Sequence, residues 1–192
     1  MMLSDGDIKK AITDGDITIR GFDEHRLQPA SYDILLDNKF IFTNDYLTGF
    51  IDPVKKIFPK TKEISIRDDE TFILHPGVSV LGSTKDYVGS DKYLIELHGK
   101  SSLARIGLIV HNTAGLINPG HYLHITLELY NLNNIPIILR PGMAIAQLTF
   151  STFVTPPQKD YRDVGNFGAG KANMKAYASG KRAKHSAKMK QR

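Results

Sequence analysis

Between His98 and Asn131 the chain reads HGKSSLARIGLIVHNTAGLINPGHYLHITLELYN, and most of the side chains able to do chemistry are gathered there. In ITLELYN the two-residue period of a strand sends Ile125, Leu127 and Leu129 to one face and Thr126, Glu128 and Tyr130 to the other. A carboxylate on the face opposite the apolar set is ordinarily a solvated residue of a half-wet sheet. Here its neighbours in sequence raise a functional reading. Lys100, Ser101, Ser102 and Arg105 bring hydrogen-bond donors and positive charge, and the glycines of the adjoining turns allow a ligand close to the backbone. The guest such a set suits is an anion.

The runs GKSSLARIGL, HNTAGLINPG, HITLELYN and PIILRPGMAIAQLTF, preceded by LQPASYDILLDNKF and FILHPGVSVLGST and by an SDGDI start, closely resemble the dCTP deaminase and dUTPase superfamily, its deaminase branch in particular. The resemblance spans Leu3 to Phe150. It implies a distorted jelly roll of the β-clip, dUTPase-like type, assembled as a homotrimer with active sites between subunits. It also implies hydrolytic deamination of dCTP to dUTP and ammonia, in pyrimidine deoxynucleotide metabolism.

That reaction adds water at C4 of the cytosine and needs a proton delivered to N3 and another for the departing ammonia. One carboxyl group that first accepts and later donates can serve all of these steps if it sits in a dry pocket, and Glu128 is the candidate. Zinc-dependent base deaminases hold their metal with at least two cysteine thiolates. This chain has no cysteine, so it would deaminate without that zinc site. The attacking water must then be held by hydrogen bonds, and the resemblance gives Ser101 and the Thr113-Ala114 turn that task. It places Arg105 beside Glu128 and the substrate.

The resemblance makes Ser102 and Lys100 phosphate-contacting positions and counts Thr126 and Leu127 among those that bind substrate. Relatives usually read Gly-Arg-Ser-Ser, and a lysine at position 100 keeps the charge without the planar two-pronged fork. Relatives also read Ile-Asp-Pro-Gly where this chain has Ile117-Asn118-Pro119-Gly120. Asn118 can hydrogen-bond a deoxyribose hydroxyl but cannot act as a base, which disfavours hydrolysis of dUTP. Gly115 points the other way, because it resembles the bifunctional deaminases that carry dCTP through to dUMP. Magnesium is expected to accompany the triphosphate, held mainly by phosphate oxygens and water. His98, His111, His121 and His124 are close in sequence, but their spacing matches no metal site.

Beyond Phe150, Tyr161 falls where deaminases place a tyrosine over the nucleotide. RDVGNFGAGK resembles the glycine-rich last motif of dUTPases, with Phe167 covering the base and Gly168, Gly170 and Lys171 near the γ-phosphate. The same stretch spells a Walker-like string from Gly165 to Lys171, but Ala172 stands where a magnesium-binding hydroxyl is required.

The elements that must position these residues are short. Ser4 with Asp7 three residues on is a capping box for a helix in which Ile8 and Ile12 share a face, ended at Asp14-Gly15. ITIRGF, PASYDILL, KFIFT, EISIR and KYLIELHG read as strands, with a wandering loop over 45–67. TFILHPGVSVLGST reads as two strands about a Pro-Gly turn. Short strands at turn-punctuated spacing argue a mainly β domain with a minor helical part. We assign residues 1–155 to that domain, 156–178 to a nucleotide-covering tail and 179–192 to a basic, disordered terminus.

With 41% apolar residues the chain has the composition of an ordinary soluble protein. It lacks an apolar membrane span or signal sequence, so the expectation is cytoplasmic. The net charge of +5 belongs to the end: Lys171 to Arg192 holds eight Lys and Arg and no acid, leaving 17 basic against 20 acidic residues before it. Such a run is most often a solvated end, so nucleic acid is not assigned as a partner. The alternatives to deamination are a dUTP diphosphatase, a bifunctional deaminase and diphosphatase, and a non-catalytic nucleotide- or nucleic-acid-binding protein.

Overall fold

The first element forms because its start is chemically marked. In the computed structural model, which describes residues 1–43, 49–55 and 57–165, helix α1 (Asp5–Thr13) opens on a complete capping box. The Ser4 hydroxyl accepts from the Asp7 N–H, and the Asp7 carboxylate accepts from the Ser4 N–H at 3.2 Å. Ile8 and Ala11 are the buried positions, and Ile12 packs only partly against the core.

The strands follow as β1 (Ile17–Ile19), β2 (Leu27–Gln28), β3 (Ser31–Leu35), β4 (Lys39–Thr43), β5 (Thr61–Ser65), β6 (Phe72–Leu74), β7 (Ser79–Ser90) and β8 (Leu94–Gly99). A one-turn helix α2 (Ser101–Ala104) leads to β9 (Leu108–Ile109), β10 (Leu116–Ile117), β11 (Leu123–Asn131), β12 (Ile137–Leu139) and β13 (Ala144–Ser151), and α3 (Tyr161–Val164) comes last. The chain is mainly β, the class expected.

One sheet runs β5-β4-β7-β11-β9, with β1 also on β7; the second runs β10-β8-β13-β3-β2; β12 and β6 form a separate ribbon. No sheet closes into a barrel among the described residues. One core cluster draws from both sheets: Val80, Val88, Leu127 and Leu129 from the first, Tyr32, Ile34, Ile95, Leu97, Leu148 and Phe150 from the second. Burial along β11 alternates as the sequence predicts, with Ile125, Leu127 and Leu129 buried and Thr126, Glu128 and Tyr130 half-exposed. Among the described residues, no helix is long and apolar enough to cross a membrane.

Neither Asp37-Asn38 nor the Pro76-Gly77 turn makes a hairpin. After Asp37-Asn38 the chain leaves β3 in one sheet and enters β4 in the other, and β6 pairs with β12 rather than with β7 across the Pro76-Gly77 turn. The reason is a competing partner. Gly77 adopts φ +71° and donates to the Asn131 carbonyl, while the buried Asn131 side chain donates to the carbonyls of Leu74 and Ile135, both at 2.9 Å. A buried carboxamide must be satisfied, and satisfying this one draws the β6 and β12 ends together.

Candidate active site

Glu128 sits mid-way along β11, opposite Leu81 of β7, with its side chain on the face away from the core. Its Oε2 accepts a hydrogen bond from the backbone N–H of Asn112 at 3.2 Å. That amide belongs to the loop between β9 and β10, which runs beside β11 because β9 pairs with its end, Tyr130 opposite Ile109. Oε1 has no hydrogen-bond partner among the described residues.

The residue after Asn112 is Thr113, with φ +62°, the only non-glycine in the left-handed region among the described residues. A β-branched side chain is costly there, and such strain concentrates at functional sites. Thr113 and Ala114 are both exposed. The loop then meets β8 so closely that Gly115 has no room for a side chain: a Cβ would lie 2.6 Å from the Leu97 carbonyl oxygen. The Leu97 N–H donates to the Gly115 carbonyl at 2.8 Å, which fixes the contact.

The serine turn forms a second group. Ser101 and Ser102 are exposed on α2, and Arg105 follows it, also exposed. None of the three side chains has a polar partner among the described residues, and none is bonded to Glu128 within the protomer. Lys100 stands differently. Its ammonium is paired with the Asp33 carboxylate on β3, and its side chain is only 23% exposed.

A third group gathers Asn118 with the C-terminal segment. A groove of about 350 Å³ is lined by Asn118, Phe153, Pro157, Lys159, Tyr161 and Val164. Tyr161 stacks on His121 with ring centroids 4.2 Å apart, and Arg162 ties the segment to Asp91 at 3.3 Å. Burial pushes the His121 imidazole down to about 4, and its Nε2 has no hydrogen-bond partner. Thr126 lies half-exposed beside Glu128 on β11, whereas Leu127 is fully buried and can offer a ligand only its backbone. Phe167, Lys171 and the basic run over 179–192 lie outside the described residues.

Sequence reasoning thus names Glu128 and Thr113, which the fold brings together around the Asn112 amide, and Asn118 and Tyr161, which share the groove. It misses Asp33, Asn112 and His121. Asp33 carried a usable signal, a charge inside the apolar run of ASYDILL, since a carboxylate there must be paired. Among the described residues no group of three or more His, Cys, Asp or Glu is arranged to hold a metal.

Comparison with known proteins gives the arrangement its relatives. A dCTP deaminase from Agrobacterium tumefaciens shares the fold with a TM-score of 0.60 at 19% identity, over 79% of this chain and 48% of that one. The dUMP-forming dCTP deaminase of Corynebacterium jeikeium is 47% identical over 162 residues, 84% of this chain and 86% of its own length. That of Mycobacterium avium is 44% identical over 84% of this chain and 85% of its own. The dCTP deaminase-like family profile matches residues 2–153, so the strand that carries Glu128, the Thr113 loop and the serine turn all fall inside the match, and the chain belongs to that family.

Proposed function

We propose that the chain converts dCTP to dUMP, ammonia and pyrophosphate, consuming two waters, with Glu128 as the proton-carrying group. The observation that carries this reading is the Asn112 amide on Glu128 Oε2. A carboxylate with one oxygen held by a backbone donor keeps a fixed orientation and leaves Oε1 to exchange protons. Oε1 takes a proton from the water that attacks C4 and delivers it to N3. The second proton from that water leaves with the amino group as ammonia when the C4–N bond breaks. Ser101 and the Thr113-Ala114 turn orient the water, and Arg105 and Ser102 take the phosphates. Magnesium enters as part of the triphosphate substrate.

The product is dUMP in this reading, against the dUTP that Asn118 suggests, because the relatives just described are named dUMP-forming and Gly115 leaves the Thr113 loop flush against β8. Asn118 orients a water or a sugar hydroxyl through its carboxamide without taking a proton. The same reading places the enzyme in the cytoplasm as a homotrimer. Supporting assembly, the outward faces of Ile73 and Ile138, paired across β6 and β12, are 50% and 49% exposed, and Ile106, Leu132 and Ile135 are exposed as well. A partner subunit laid over them would bury apolar surface and could bring its own serine turn toward Glu128.

The test is to incubate the protein with magnesium and either dCTP or dUTP and to separate the products. Ammonia and dUMP from dCTP support the reading; dUTP accumulating with ammonia leaves the deamination and removes the second step. Pyrophosphate from dUTP with no ammonia from dCTP sinks it. Glu128→Gln is expected to abolish ammonia release while dCTP still binds, as measured by isothermal titration.

A further inference from the structure

The strand that carries Glu128 is held out of simple register with its neighbour β7. Along most of the ladder one residue faces one, but Thr84, Lys85 and Asp86 of β7 together face the single residue Ile125 of β11, between the pairs His124–Tyr87 and Thr126–Ser83. The bulge carries the remaining pairs two residues further along β7, so Glu128 stands opposite Leu81 where an unbroken ladder would set it opposite Ser83. At roughly 3.3 Å per residue that is a displacement of about 7 Å along the strand. Bulges of this kind re-aim the side chains beyond them and gather next to active sites.

One hydroxyl closes the bulge. Thr84 is fully buried; its Oγ1 accepts from the Ile125 N–H at 2.8 Å and donates to the Asp86 carbonyl at 2.9 Å. The Thr84 carbonyl accepts from Nδ1 of His124 at 3.0 Å. From the same bulge the buried Asp86 carboxylate reaches the second sheet. Its Oδ2 accepts from the Leu35 N–H of β3 and its Oδ1 from the Arg26 guanidinium, each at 2.8 Å. The position of β11 is thus referred to the second sheet through Thr84. The other half of the Glu128 contact is referred to that sheet as well, since the loop bearing the Asn112 amide is pinned at Gly115 to Leu97 of β8. The two must agree for the amide to meet Oε2.

We propose that Thr84 is a positioning residue for the deamination: its hydroxyl holds β11 in the shifted register that puts Glu128 Oε2 against the Asn112 amide. The proposal rests on the deaminase reading above. Thr84 is enclosed within its own protomer, so it acts through the strand and touches no substrate. A valine there fills the same volume but leaves the buried Ile125 N–H without its acceptor, and the strand shifts to satisfy it. A serine keeps the acceptor and gives up a buried methyl, which costs packing and not register.

Wild-type protein is first shown to release ammonia from dCTP; without that turnover the deaminase reading fails and this proposal falls with it. Melting temperature, and kinetics well below it, are then compared for Thr84→Val and Thr84→Ser. Thr84→Val is expected to lower kcat about tenfold with KM for dCTP within about twofold. Thr84→Ser is expected to melt lower than wild type yet keep kcat within about twofold, so that turnover follows the hydroxyl while stability follows the methyl. Wild-type kcat in Thr84→Val overturns the proposal, as does a fall of kcat in Thr84→Ser equal to that in Thr84→Val. A rise in KM with kcat unchanged in Thr84→Val overturns it too, because the hydroxyl then acts on binding and not on Glu128. Should Thr84→Val not fold, Thr84→Ala against Thr84→Ser decides, since both lose the methyl and only the first loses the hydroxyl. Loss of kcat in Thr84→Ala alone supports the proposal, and equal kcat in both refutes it.

Discussion

Replacing Thr113 by glycine is expected to make the protein more stable and less active. Thr113 holds φ +62°, and a left-handed conformation costs an L-residue about 1–2 kcal/mol. Glycine adopts it freely, but its looser unfolded chain takes back about 0.5–1 kcal/mol. The Thr113 side chain is exposed, so removing it loses no core packing. The net gain is about 0.5–1 kcal/mol, which for a chain of this length raises the melting temperature by about 1–4 °C. The loss of activity comes from the other side of the same bond. The strained residue directs the preceding amide at Glu128 Oε2, a bond to a charged group worth about 1.5–3 kcal/mol when held in place. A glycine lets the loop sample other conformations, and giving up half of that interaction lowers kcat about three- to twelvefold. Circular dichroism melts and ammonia release measured on the same preparation check both halves. A lower melting temperature would show that no strain is stored at Thr113. A higher one with undiminished kcat would show that the strain has nothing to do with Glu128.

Gly115→Ala is expected to destabilise by about 1–3 kcal/mol and to cut deamination sharply, because the new methyl meets the Leu97 carbonyl at 2.6 Å and the loop must move; melting temperature and ammonia release report it. Asn118→Asp supplies a carboxylate that can act as a base, and pyrophosphate release from dUTP is expected to rise while ammonia release from dCTP changes little. The His121–Tyr161 stack carries a pH signature. The folded His121 titrates near 4 against an ordinary 6.5, so the unfolded chain takes up its proton first. Its contribution is whole above about 6.5, shrinks as pH falls and is gone below about 4. At pH 5 the loss is at most about 2 kcal/mol, and less for a ring that solvent still reaches. His121→Phe, which keeps the stack and cannot titrate, is expected to flatten the fall in melting temperature between pH 7 and pH 5; an unchanged slope would remove His121 from the account.

What was legible in the sequence followed from local periodicity and residue type. The face of β11 that carries Glu128 could be read because Ile125, Leu127 and Leu129 are buried on one side only. The capping box at Ser4 could be read because both of its hydrogen bonds lie within four residues. Asp33 could not be placed by alternation, since Ser31 to Ile34 are all buried and the strand has no wet face to betray it. The two strands about Pro76-Gly77 were legible but their partners were not, because a turn fixes where a chain reverses and not which strand it then joins, and Asn131, far along the sequence, settled that choice.

The Asn112 amide is the deeper case, because every residue but proline owns one and no residue type announces it. Its role depends on the sign of φ at its neighbour, a torsion that threonine disfavours and that only the surrounding loop can impose. The short contact between Gly115 and Leu97 supplies that imposition from one side, and the pairing of β9 with β11 supplies it from the other. A site assembled this way keeps its proton-carrying carboxylate oriented through backbone geometry. Substitutions that leave Asn112 with any side chain but proline are therefore expected to spare ammonia release, whereas Asn112→Pro, which deletes the donor, is expected to reduce it as severely as loosening the whole loop does.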